Sequence, residues 1–263
     1  MTSERVRVGA VADLHYTRDA KGSLQPLFEY ASHATDVLLL AGDLTDFGLP
    51  EEAQVLARDV TAFVRVPVVA VLGNHDYETG HEAEVTAILR GAGVHVLDGD
   101  ACEVKGIGFA GAKGFAGGFG RATLEPWGEA TVKQFVREAV DEALKLERAL
   151  ARLRTSTRIA LLHYAPVRGT VEGEPPEILA FLGCSRLEEP INRLPVTAVI
   201  HGHAHRGSLE GRTAAGIPVH NVSLPLLRRL HPDAAPLRVL EFPLPGAPNG
   251  EVGASHPLAQ AAG

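Results

Sequence analysis

Five short polar motifs hold residue types that can bind metal: Asp13-Leu14-His15, Gly42-Asp43, Gly73-Asn74-His75-Asp76, a lone His163, and His201-Gly202-His203-Ala204-His205. They offer carboxylates, one amide and imidazoles, and no cysteine. Mixed nitrogen and oxygen donors suit divalent transition metals and are too rich in nitrogen for a calcium or magnesium cage. Seven such ligands are more than one tetrahedral ion takes. They suit two adjacent ions that share a carboxylate about 3.5–4 Å apart, the arrangement that hydrolyses phosphate esters.

The elements that must position these residues are legible beside them. Val6–Val11, Val37–Ala41, Val68–Leu72, Ile159–Leu162 and Ala198–Ile200 are short, β-branched or leucine-rich runs, mostly without charge, the pattern of buried strands. Each polar motif follows such a run directly. In open α/β sheets, ligands bind beyond the carboxyl ends of strands. One sheet edge could therefore gather Asp13, His15, Asp43, Asn74, His75, His163, His203 and His205.

Helical spacing fills the gaps. Pro50–Val64 opens with Pro and two Glu, a favourable helix start, and its apolar face is Val55, Leu56, Val60, Phe63 and Val64. His81–Arg90 is a shorter helix closed by Gly91, and Ser185–Leu194 a weaker one. The longest runs from about Glu129 to Arg154, with an apolar face from Val132 through Phe135, Val136, Ala139, Val140, Ala143, Leu144 and Leu150 to Leu153. Alternating strand and helix early in the chain predicts βαβ units. Ala101–Gly111 and Ser208–Glu241 are Gly-punctuated and β-rich, as in hairpins. They imply two sheets with mixed connections rather than one doubly wound sheet. The expected organisation is one domain over residues 1–242 and a Pro, Gly and Ala-rich tail over 243–263.

The balance of the chain narrows the function. It has 263 residues, 45% apolar and 22% charged, which excludes a disordered or collagen-like protein. A net charge of −7 disfavours a surface built for nucleic-acid backbones. No apolar run is long enough to span a bilayer, and the first residues carry no signal-peptide pattern. Cys102 and Cys184 form no metal or redox pattern and read as reduced thiols of a cytoplasmic protein.

Asp13-x-His15, Gly42-Asp43-x-x-Asp46, Gly73-Asn74-His75-Asp76, His163 after its strand and Gly202-His203-x-His205 together resemble the calcineurin-like metallophosphoesterase signature, in order and intact, over residues 13–205. The resemblance implies an α/β fold, a four-layer α/β/β/α sandwich of two mixed sheets flanked by helices, with a dinuclear centre at one edge. It assigns Asp13, His15, Asp43 and His205 to one ion, and Asp43, Asn74, His163 and His203 to the other, with Asp43 as the bridge. His75 becomes the general acid or phosphate donor, held by the carboxylate of Asp46, and Asp76 a structural neighbour. The implied reaction is attack on a phosphate ester by a metal-bridging hydroxide. Manganese or iron is favoured, with zinc, cobalt or nickel as alternatives.

The departures point to a branch. Phe47-Gly48 stands where protein phosphatases carry Arg-Gly, so their phosphate-clamping arginine is missing. The compact bacterial-type phosphodiesterases remain, acting on small phosphate esters. A nuclease, a phosphomonoesterase and an inactive metal-binding scaffold are the rivals. The five-glycine stretch Gly111–Arg121 reads either as a connector or as a lid with Lys113 or Arg121 on substrate. Tyr16, Tyr77 and Tyr164 each follow a motif and either line the rim or pack beneath their loops.

Overall fold

The computed structural model describes residues 5–243. The expected tail from 243 therefore lies outside the description except for Pro243.

The first sheet contains β1 (Arg5–Val11), β2 (Val37–Ala41), β3 (Val68–Val71), β4 (His95–Val96) and the last strand, β11 (Arg238–Pro243), in the order β11-β1-β2-β3-β4. The second contains β5 (Asp100–Val104), β6 (Ile107–Gly111), β7 (Thr157–Leu161), β8 (Ala198–His201), β9 (Glu210–Arg212) and β10 (Pro218–Asn221), in the order β5-β6-β7-β8-β10-β9. In each sheet the central strands are parallel and an outer strand runs antiparallel, β11 on β1 and both β5 and β9 in the second sheet. The parallel strands are buried on both faces, which is why they read as unbroken apolar runs rather than alternations.

Three apolar layers result. Val8, Leu39, Val69 and Phe242 meet Phe109, Ile159, Leu161 and Ile200 between the sheets. The first sheet's other face, with Leu38, Leu40 and Ala70, carries Phe28 of α1 (Gln25–Ala34), Leu56 of α2 (Pro50–Phe63) and Leu89 of α3 (Glu82–Gly91). The second sheet's other face packs Ala160, Val199 and Val219 against Leu146 and Leu150 of α4 (Ala130–Arg152) and Ile191 of α5 (Glu188–Arg193). This is the four-layer α/β/β/α arrangement, with two mixed sheets.

Two expectations change. Ser208–Glu241 is not a run of hairpins. Only β9 and β10 form one; the helix α6 (Leu224–Leu230) follows, and β11 then crosses to the other sheet, with Val6 opposite Phe242. The helix is set by Leu224, Leu226 and Leu227, which are buried, with Pro225 in its first turn. On α4, Leu144 lies exposed while Glu142 is buried, because Glu142 accepts a hydrogen bond from the backbone N–H of Gly114 at 2.7 Å and an ion pair from Lys145. A loop anchor, not apolarity, decides that position.

Candidate metal centre

Four parallel strands, β1, β2, β3 and β7, with β8 beside β7, end at one edge, and each hands its polar motif to that edge. The backbone there is bent to aim side chains. Among the described residues, five other than glycine have positive φ, and four belong to the cluster: Asp13, His15, Asp43 and His203, at 46° to 71°. The fifth, Lys105, turns the β5–β6 hairpin. Asp and His tolerate this region better than most residues, yet each instance costs of order 1–3 kcal/mol. Such concentration at one edge marks a site for which the fold gives up stability.

Close approach is enforced by glycine. A Cβ on Gly42, at φ +88°, would collide with the His163 ring, and one on Gly73 would strike Asp43. Asp76 ties the same loops from below. Its buried carboxylate accepts from the N–H groups of Leu44, Thr45 and Gly73 and from the Thr45 hydroxyl. Burial and the nearby Asp43 charge push its pKa up to about 6 against those hydrogen bonds.

Three groups of donors lie within 4.8 Å of one another: Asp13, His15 and His205; His15, Asp43 and His75; and Asp43, His163 and His203. Asp43 appears in two of them. His205 Nε2 is 3.1 Å from Asp13 Oδ1, His163 Nε2 is 3.3 Å from Asp43 Oδ1, and His15 Nε2 is 3.9 Å from Asp43 Oδ2. Asn74 Oδ1 lies 2.9 Å from His163 Nε2. All seven expected ligands thus converge. Backbone N–H groups orient the carboxylates: His203 donates to Asp13 and His75 to Asp43.

Backbone carbonyls orient the imidazoles, a signal the sequence does not carry. His163 Nδ1 donates to Ala41 O at 2.9 Å and His203 Nε2 to Phe181 O at 3.3 Å. Each carbonyl can only accept, so the other ring nitrogen is left to face the cluster. The donor set and this orientation fit transition-metal ions.

The electrostatics fit as well. Burial alone would lower the His163 pKa, but Asp43 outweighs it and raises His163 to about 9. Burial would raise Asp43, yet His163 holds it well below the usual carboxylate range. His203, desolvated and facing His163, falls to about 4. Protons on histidine thus neutralise carboxylates that a cation would otherwise balance, and metal uptake displaces them.

The position of His75 fits a proton donor, with one change from expectation. Its Nδ1 donates to the backbone carbonyl of Asp46 at 2.7 Å, not to the Asp46 carboxylate. That carboxylate is 3.2 Å from His15 Nδ1 instead. The His75 and His15 rings meet edge-on, 4.5 Å apart.

The sequence model of the calcineurin-like phosphoesterases matches residues 6–207. The chain belongs to the calcineurin-like phosphoesterase family. No curated protein matches it significantly. Among solved structures, a phosphopantetheinyl hydrolase of Mycobacterium tuberculosis superposes with a TM-score of 0.65 at 16% identity, over 92% of this chain and 98% of that one. The protein TT1561 of Thermus thermophilus superposes at 0.53 and 12% identity, over 84% and 90%. At these identities the likeness is one of fold. Family membership makes this chain a metal-dependent phosphoric ester hydrolase by type.

The neighbours of the cluster sort themselves. His201 is buried, 2.8 Å from Thr170 Oγ1 and from Gly202 O, as a structural histidine is. Tyr16 is core, its hydroxyl donating to buried Asp59. Arg168 pairs with Glu172 on the surface. The Gly111–Arg121 stretch is mostly buried and pinned rather than a free lid: Lys113 O accepts from the N–H groups of His163 and Tyr164, and Gly117 and Gly118 donate to Ala180 O and Gly183 O. Arg121 is exposed. Among the described residues, no helix is long and apolar enough to cross a membrane.

Proposed function

We propose that this calcineurin-like phosphoesterase is a dinuclear phosphodiesterase acting on small phosphate esters. The observation that carries this reading is the double membership of Asp43, whose carboxylate joins the His15 and His163 ends of one donor cluster. Asp13, His15, Asp43 and His205 would hold one ion, and Asp43, Asn74, His163 and His203 the other. Manganese or iron suits this hard, nitrogen-containing set; zinc, cobalt and nickel are alternatives. Bound there, the ions supply an activated water and neutralise phosphate charge.

The chain's own residues do the rest. His75, fixed through Nδ1 by Asp46 O, delivers a proton from Nε2 to the leaving-group oxygen. The Asp46 carboxylate stands 3.2 Å from His15 Nδ1. Phe47 stands where protein phosphatases carry a phosphate-clamping arginine, so a dianionic monoester lacks that clamp. A diester carries one charge less and suits the two-metal edge better. Unpaired Cys102 and Cys184 are in keeping with a reducing, cytoplasmic setting.

The test is the ratio of kcat/KM for a diester and a monoester that share one leaving group, with the manganese-loaded enzyme. Cyclic nucleotides and phosphopantetheinyl esters, the latter named by one structural neighbour, belong in the panel. A ratio above one is expected; a ratio clearly below one makes the enzyme a phosphomonoesterase.

A further inference from the structure

Two exposed apolar side chains sit on one face of a short segment that is anchored beside the donor cluster. The segment is the 3-10 helix Pro176–Phe181, in which residues three apart lie over one another. Leu179 and, just past the end, Leu182 line up on the inward face, in one apolar cluster with Ala165 and Ala204. Ala165 comes two residues after His163, and Ala204 stands between His203 and His205. Backbone bonds fix the same stretch: Gly117 N donates to Ala180 O and Ala165 N to Leu182 O. Ile178 and Phe181, also three apart, line up on another face and are 40% and 59% exposed. Phe181 O accepts from His203 Nε2 at 3.3 Å, so the Phe181 Cα lies within about 6 Å of that ring nitrogen.

Phe47 is the counterpart at the other group of donors. It is 50% exposed. The carbonyl before it, Asp46 O, accepts from His75 Nδ1 at 2.7 Å, so the Phe47 Cα lies within about 6 Å of His75. His75 groups with His15 and Asp43, and His203 with Asp43 and His163. One exposed phenylalanine thus borders each of the two donor groups that Asp43 joins. Single apolar residues on a surface are ordinary, but a pair on one face of an anchored segment beside such a cluster makes a patch that gains when an apolar group covers it.

A phosphodiester carries two alcohol groups, one that leaves and one that stays on phosphorus. His75, as proton donor, marks the leaving side, and Phe47 stands there. The His203 end is then the side of the alcohol that stays. We infer that Phe181 and Ile178 are specificity-determining residues, a rim that receives an apolar or aromatic substituent on the alcohol retained by phosphorus. The inference rests on the phosphodiesterase reading and names the class of diester: one with an aromatic or apolar group on its retained side.

The experiment compares wild type, F181A, I178S and F47A, manganese-loaded and each checked for metal content. Two diesters that share a para-nitrophenolate leaving group and retain either phenyl or methyl are assayed for kcat/KM. The dissociation constants of phenylphosphonate and methylphosphonate, which have no ester to cleave, are measured by calorimetry. Wild type should favour phenyl over methyl in both readings. F181A should shrink both preferences roughly three- to tenfold, the range of one aromatic contact, and I178S should act in the same direction by less. F47A should leave them in place, because the two diesters share a leaving group. An unchanged preference in F181A overturns the inference. So does an equal loss on both members of each pair, which would mean that residue 181 acts only by holding His203, and so does a preference lost in F47A but kept in F181A. Should F181A fail to fold, I178S decides, and an unchanged preference there overturns the inference too. A wild-type enzyme that cleaves neither diester and binds neither phosphonate refutes the phosphodiesterase reading itself, a result distinct from all of these.

Discussion

The two ends of the donor cluster differ in how firmly they are built. At the His163 end, His163 is fully buried and Asp43 nearly so, Asn74 and His203 are half-buried, and the rings of His163 and His203 are set by backbone carbonyls of Ala41 and Phe181. At the other end Asp13 is buried, but the His205 side chain is 40% exposed and that of His15 24%. His15 Nδ1 has the Asp46 carboxylate within 3.2 Å but no aligned hydrogen bond. A ligand such as His163, held by a carbonyl and shut from water, needs little reorganisation when an ion arrives. A ligand on the rim must be ordered first, and water competes for the ion. On the two-ion reading, the His163 end would grip its ion more firmly than the His205 end, with nearly the same residue types.

The largest effect belongs to the residue that links the ends. Asp43→Asn should abolish the distinction by weakening both, with loss of nearly all turnover and at least one equivalent of metal, read by elemental analysis alongside kinetics. His75→Ala comes next. It removes no expected ligand, so both equivalents should remain while kcat falls roughly 10²–10⁴-fold. The fall should shrink for esters with good leaving groups, which need no proton. Metal loss in step with activity would show that His75 belongs to the metal shell.

A smaller effect separates the ends by pH. Without a cation, His163 keeps its proton up to about pH 9. An ion there must displace that proton, so affinity at the His163 end should fall about tenfold per unit as pH drops from 8 to 7. His203, already neutral above about pH 4, adds nothing in this window. A pH-independent affinity at that end would mean that His163 does not bind through Nε2.

Much of this site was legible in the sequence because its parts are local. Gly42-Asp43 and Gly73-Asn74-His75 each pack a strand end, a required glycine and a ligand into a few residues, so one reading gives both the turn and the chemistry. The parallel strands β2 and β3 were equally plain, since double burial leaves no polar position in them. What stayed hidden depends on contacts distant in sequence. Asp46 was expected to hold His75 with its carboxylate, yet its carbonyl does so, and carbonyls leave no mark on a sequence. Lys113 reads as a loop lysine until Tyr77 and Tyr164, from two distant segments, close around it beside Phe115 of its own loop. Leu144 fits the apolar period of α4 but Glu142 takes the inward place, because Gly114 needs an acceptor. The return of β11 to β1 spans most of the chain, and nothing near Arg238 announces it.

On the proposed reading, one edge holds two ions that share Asp43, with unequal grip. The measurement that tests it most directly is stepwise removal of metal from the manganese-loaded enzyme by a graded chelator, with metal content and diesterase activity followed together. Two equivalents per chain and two separate losses are expected. His205→Ala should remove the first step and leave the second, while His163→Ala should abolish the tight one. A single equivalent in the wild-type enzyme, or two that leave together regardless of which histidine is replaced, would contradict it.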